Sequence, residues 1–132
     1  MTEEDLDEDR LYQIQIDVYT RYLDEQSSPE HNRYVFSYTI TISNQSDYPA
    51  RLINRHWVIT DAEGGVEEVR GRGVVGEQPY LAPGEQFQYT SGTILKTPVG
   101  SMEGSYGMVT DEGVEFEAVI PPFSLAVPKI LH

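Results

Sequence analysis

Gly71-Arg72-Gly73-Val74-Val75-Gly76-Glu77-Gln78-Pro79 is the stretch that decides between two folds. Its glycines stand in the G-x-G-x-x-G spacing that cradles a pyrophosphate in dinucleotide-binding proteins. That task needs a buried strand in front, a helix behind whose N-terminus faces the phosphate, and an acid about 20 residues further on for the ribose. The segment in front, Val66 to Arg70, is short and half polar, and behind stand Glu77, Gln78, Pro79 and Tyr80, with Pro83-Gly84 closing off any useful helical length. Between Glu85 and Glu103 there is no acidic residue. The glycines therefore read as bends between strands, supplying positive φ and bulges. A ligand reading stands beside this one. Successive N–H groups of a glycine-rich turn can form an anion nest without a helix, and Arg72, with Arg70 beside it, can add charge-assisted bonds to a phosphate. Gly71, Arg72, Gly73 and Gly76 are the candidate residues of that site.

Outward from this segment the hydrophobic pattern has period two. Upstream, Tyr34, Phe36, Tyr38, Ile40 and Ile42 share one face against Ser37, Thr39 and Thr41, and before them Ile14, Ile16 and Val18 alternate with Gln13, Gln15 and Asp17. A third strand runs from Arg51 to Thr60, with Ile53, Trp57 and Ile59 expected on one face, and Val66 to Arg70 pairs back after the tight turn Glu63-Gly64-Gly65. Downstream, Leu81-Ala82-Pro83-Gly84 belongs to an irregular connection. Phe87, Tyr89 and Ser91 mark the next strand, and Met102, Tyr106 and Met108 the one after it. Val114, Phe116, Ala118 and Ile120 form the last strand, which Pro121-Pro122 is expected to break before Phe123 to Val127 resume past a bulge. Gln26 to Asn32, Asn44 to Pro49, Thr97 to Gly100 and Asp111 to Gly113 have turn and loop chemistry. No stretch has a helical period with caps. Seven or eight antiparallel strands at turn spacings near ten residues predict an all-β, immunoglobulin/fibronectin-III-like β-sandwich, with Trp57 as its large central aromatic.

The chain has 132 residues, a natural size for one domain. Thr2 to Asp9 is nearly all charged, so residues 1–10 are expected to be a disordered acidic tail and residues 11–132 the folded domain. There is no cysteine, which excludes disulfides and thiolate metal sites. No run reaches the roughly 20 apolar residues of a membrane span, and no signal-peptide pattern opens the chain, so a cytoplasmic location without membrane insertion is expected. The formal net charge is -13, with nine basic residues scattered along the chain. A nucleic-acid binder needs the opposite sign or a basic stripe, so nucleic acid is excluded as a partner.

Catalytic constellations are missing from the pattern. His31, His56 and His132 share no metal-ligand spacing, and Ser91 and Ser101 lack a nucleophile elbow. Glu67 and Glu68 are neighbours on a strand and point to opposite faces, so they cannot act on one substrate together. Asp111, Glu112 and Glu115 lack the loop that would make them a cation site. No enzyme activity, cofactor or metal is expected. Binding to a protein partner is, because a sandwich exposes edge strands and loops, and Tyr19, Tyr22, Tyr48, Tyr80 and Tyr89 are more aromatics than one core hides.

Taken in order, several segments resemble the ApaG family. They are Gln26-Ser27 before the long strand Tyr34 to Asn44, Arg55-His56-Trp57 with Thr60-Asp61, the glycine segment Gly71 to Pro79, and Pro83-Gly84-Glu85. Tyr89-Thr90-Ser91-Gly92, Met102-Glu103-Gly104-Ser105-Tyr106 and Ile120-Pro121-Pro122-Phe123 complete the likeness, which extends from Tyr12 to His132. The resemblance implies a fibronectin-III-like sandwich and no established enzymatic activity. It implies an association with cobalt tolerance and magnesium efflux in bacteria, and, from similar domains in eukaryotic F-box and polymerase-interacting proteins, a protein-binding module. The family's glycine motif is a suspected pyrophosphate site; carried over here, that concerns Gly71, Gly73 and Gly76 alone.

Overall fold

The computed structural model describes residues 13–128, so the tail expected at 1–10 lies outside the described residues. Eight strands follow one another: β1 (Ile14–Tyr22), β2 (Tyr34–Asn44), β3 (Ala50–Asp61), β4 (Val66–Arg72), β5 (Tyr80–Leu81), β6 (Gln86–Leu95), β7 (Val99–Thr110) and β8 (Glu115–Ala126). Two single 3-10 turns, Asp24–Gln26 and Pro29–His31, fill the loop between β1 and β2. All strand pairs are antiparallel. They make two sheets, one ordered β1-β2-β6 and the other β4-β3-β7-β8, with β5 also pairing with β3. This is the expected two-sheet sandwich, and among the described residues it contains no α-helix.

Period-two hydrophobicity makes the core. Phe36, Tyr38, Ile40 and Ile42 of β2 are buried, and across from them lie Leu52, Trp57, Met102, Tyr106, Met108, Ile120 and Leu125. Each such aliphatic side chain contributes on the order of 1.5–3 kcal/mol by leaving water. Trp57 is the hub, with ring centroids of Tyr38, Phe123 and Tyr106 at 5.4, 5.9 and 6.3 Å, the last two edge-on. On the outer face of the smaller sheet, Thr39 and Thr90 share a hydroxyl bond of 2.8 Å and Gln88 donates to the Thr41 hydroxyl at 2.9 Å. These cross-strand pairs help to fix the register of β2 on β6. Asn44, fully buried at the end of β2, donates to the carbonyls of Tyr48 and Leu81 and accepts from Ser46, tying the β2–β3 turn to β5.

Three local expectations are corrected. Ile53 does not share the inner face with Trp57: the register shifts between Leu52 and Asn54, so Ala50 and Leu52 point inward before the bulge and Trp57 and Ile59 after it. Pro121-Pro122 does not break the last strand, although the expected bulge is there and Phe123 to Ala126 do continue it. Met102 pairs with Phe123 and Gly104 with Ile120, so the two prolines bulge opposite Glu103 while β8 continues to Ala126. Prolines are tolerated there because β8 is an edge strand. Finally, Tyr80–Leu81 is not irregular; it pairs with Arg51 and Ala50, a two-residue contact too short to leave a period.

Candidate functional site: the cleft beneath the glycine turn

β4 ends inside the glycine segment, at Arg72. Gly71 lies opposite Arg55 of β3, and a Cβ there would stand 2.8 Å from the Arg55 guanidinium. The missing side chain is therefore the space that Arg55 occupies. Gly73 donates its N–H to the carbonyl of Ile53 at 2.8 Å. It has φ +62, and an added Cβ would come within 2.2 Å of the Glu77 carbonyl oxygen. Only glycine fits both the angle and the contact. Val74, fully buried, and Glu77 then exchange both backbone bonds at 2.8 and 2.9 Å, closing a two-residue hairpin over Val75 and Gly76. Both tip residues have positive φ, +43 at Val75 and +81 at Gly76, the signature of a type I′ turn. No helix follows.

Three amides of the segment, those of Gly73, Val74 and Glu77, are thus committed inside the chain, whereas the N–H groups of Val75 and Gly76 meet no acceptor among the described residues. Arg72 and Gly76 line one cleft of about 330 Å³ with Tyr38, Arg55, Trp57, Val74, Val75, Tyr89 and Ser91. Of the four residues read from the sequence, two border the cleft and two make room for its architecture. Arg70, expected beside Arg72, does not line it; it sits across the ladder from His56.

Arg55 is the residue that pattern reading missed. Its Nη1 donates to the carbonyls of Arg72 and Gly73, both at 3.0 Å, which pins the turn to the sheet. Its Nε and Nη2 protons have no acceptor among the described residues, and neither Arg55 nor Arg72 has a carboxylate within ion-pair distance there. A signal for it existed: Arg55 shares strand parity with Trp57 and Ile59, so a charge stands in the inward phase of a core strand. Beside it the hydroxyls of Tyr89 and Tyr106 form a short hydrogen bond in the interior. Burial pushes both phenols well above their ordinary range, against a smaller lowering by the Arg55 charge. They stay neutral, and two hydroxyls sharing one bond leave one O–H proton over.

The cleft is one end of a longer groove. A larger cavity of about 620 Å³ shares Tyr38, Arg55, Trp57 and Ser91 with it and runs between β4 and β6. A third, of about 170 Å³, shares Ile59, Glu67 and Ile94 with the second and ends at Lys96. Elsewhere the chemistry is sparse. His56 pairs with Glu68 at 3.3 Å on the outer face. Among the described residues no three His, Cys, Asp or Glu side chains are grouped to hold a metal, and no helix is long and apolar enough to cross a membrane.

An all-β sandwich is what the comparisons with known proteins return. The chain belongs to the ApaG domain family, whose model matches residues 24–110. It is 59% identical over 124 residues to Protein ApaG of Pseudomonas aeruginosa, covering 94% of this chain and 98% of that one. Protein ApaG of Thiobacillus denitrificans is 60% identical over 125 residues, with 95% and 98% covered. The crystal structure of the ApaA protein from Bordetella pertussis superposes with a TM-score of 0.87 at 52% identity, over 90% of this chain and 97% of that one. The C-terminal domain of Wzt shares the fold alone, with a TM-score of 0.52 at 11% identity, over 89% and 75% of the two chains.

Proposed function

We propose that this chain is a non-enzymatic binding module of the cytoplasm that acts by contact with a protein partner, with residues 11–132 as its binding domain and residues 1–10 as an acidic tail. The observation behind this reading is that every sheet edge presents a large exposed apolar residue: Tyr19 on β1, Val66 on β4, Ile94 on β6 and Val119 on β8. Edge strands with free hydrogen-bonding groups and apolar side chains favour recruitment of another chain. The family resemblance adds cobalt tolerance and magnesium efflux as the processes such contact serves. Affinity capture from native lysate at mild salt, repeated with crosslinking, is the test. Recovery of a stoichiometric partner is expected, and an empty capture under both conditions refutes the reading.

A second reading is favoured by Arg55 and Arg72, two guanidinium groups that meet no carboxylate among the described residues, at a turn with two amides that meet no acceptor there. In it the Gly71–Gly76 segment binds phosphate or pyrophosphate, alone or with a metal. Isothermal titration with pyrophosphate then gives heat that Arg72→Ala removes. Absence of heat at millimolar concentrations eliminates it.

A further inference from the structure

Among the described residues five strands have an open side, and four of them are guarded. β5 is only two residues long. β4 carries Glu67, Glu68, Arg70 and Arg72 in seven residues. β8 carries Pro121-Pro122 and a bulge. β1 carries Asp17 and Arg21 and lies alongside β8. Charges, prolines, bulges and neighbouring cover are the devices by which edge strands avoid pairing with other chains. β6 has none of them. Its ten residues, Gln86 to Leu95, contain no charge and no proline, and its register on β2 runs unbroken from Ser43↔Gln86 to Tyr34↔Leu95. Its open side faces the groove. The inward positions Ser91 and Thr93 are small, which leaves the interior beside them uncovered.

The groove also differs in charge from the rest of the molecule. Arg33, Arg55, Arg72 and Lys96 line it against Asp61 and Glu67, in a chain whose net charge is -13. We infer that β6 accepts an extended acidic peptide of a protein partner as an added strand in the β4–β6 groove, with a carboxylate held by Arg55 and Arg72. The added strand would lie about 4.8 Å from β6 and draw affinity from main-chain bonds, its alternate side chains facing the uncovered interior. A second copy of this chain is disfavoured as the occupant, because two bodies of charge -13 repel and β6 itself brings no acid to the arginines. The inference rests on the protein-binding reading and specifies its site.

The test is a displayed library of random twelve-residue peptides panned against the full-length protein. Expected are enriched sequences with alternating apolar residues and acidic termini. Their binding should slow hydrogen exchange at β6 amides, and should weaken at least tenfold in Arg72→Glu with Lys96→Glu, two exposed side chains that make no hydrogen bond or ion pair among the described residues. Ser91→Trp, which fills the groove, should abolish it, whereas Arg21→Glu on β1 should leave it unchanged. Selected peptides without acidic bias, or binding that survives both groove variants, overturn the inference while the binding-module reading stands. A concentration-dependent dimer that protects β6 in place of a peptide also overturns it. If no peptide is selected and lysate capture is empty as well, both readings fail.

Discussion

Val75 should be replaceable by asparagine with a gain in stability. A left-handed backbone costs an L-residue roughly 1–2 kcal/mol, and a β-branched side chain sits toward the upper end. Val75 holds φ +43 at the first centre of a two-residue turn whose second centre is Gly76. Asparagine tolerates that region, and Asn-Gly is the favoured pair for this turn. The opposing loss is small. Val75 is 56% exposed, so less than half of a valine's burial is forfeited, about 0.7 kcal/mol. The balance is a net stabilisation of about 0.5–1 kcal/mol. At roughly 3–6 °C per kcal/mol, between the values for smaller and larger domains, the melting temperature should rise by about 2–6 °C. Thermal unfolding by circular dichroism at matched pH reads this directly, with Val75→Ile as the control that keeps the strain and should not move. A Val75→Asn melting temperature at or below wild type would refute the account of the turn as strained. Strain concentrated at a cleft mouth is a feature of functional sites, so the stabilised variant should also bind its partner or anion more weakly.

Gly73→Val should lower stability by at least about 2 kcal/mol, since it adds a forbidden φ to a clash with the Glu77 carbonyl; an unchanged chemical-denaturation midpoint would show the turn to be more pliable than described. Trp57→Ala should cost about 3–5 kcal/mol by leaving a cavity among Tyr38, Tyr106 and Phe123, with a loss under 1 kcal/mol in urea titration contradicting its central place. Alkaline pH should unfold the protein through the buried phenols. Their folded-state values lie above the ordinary value of 10.0, so their contribution is complete below pH 10 and is lost as pH rises beyond it, by about 1.4 kcal/mol per unit for each tyrosine. Tyr89→Phe with Tyr106→Phe should flatten that slope, and an unaltered slope would place the alkaline sensitivity elsewhere.

The fold was legible because its signal is periodic. Tyr34 to Ile42 alternates so strictly that only one face can be inside, and the turns at Glu63-Gly64-Gly65 and Asp111 to Gly113 punctuate it. Legibility failed where the period changed phase. The bulge at Leu52/Asn54 moves Ile53 off the inner face, and nothing local in Arg51 to Asn54 announces it, since bulges are set by what the partner strand must reach. Pro121-Pro122 reads as a break before a bulge, and whether the strand runs through it depends on its being central or an edge. The glycine segment yielded its spacing but not its wiring. Which amides bond inward, and that Arg55 rather than Arg70 joins Arg72 at the cleft, depend on strand pairing with residues that lie 17 or more positions away in the sequence.

The chain has a single tryptophan, and Trp57 borders both the cleft under the glycine turn and the groove beside β6. Its indole is therefore a built-in optical sensor. Whatever enters from either end changes the polarity and the quenching groups around one chromophore, so occupancy can be followed by emission from the unlabelled protein, without a second tryptophan to dilute the response.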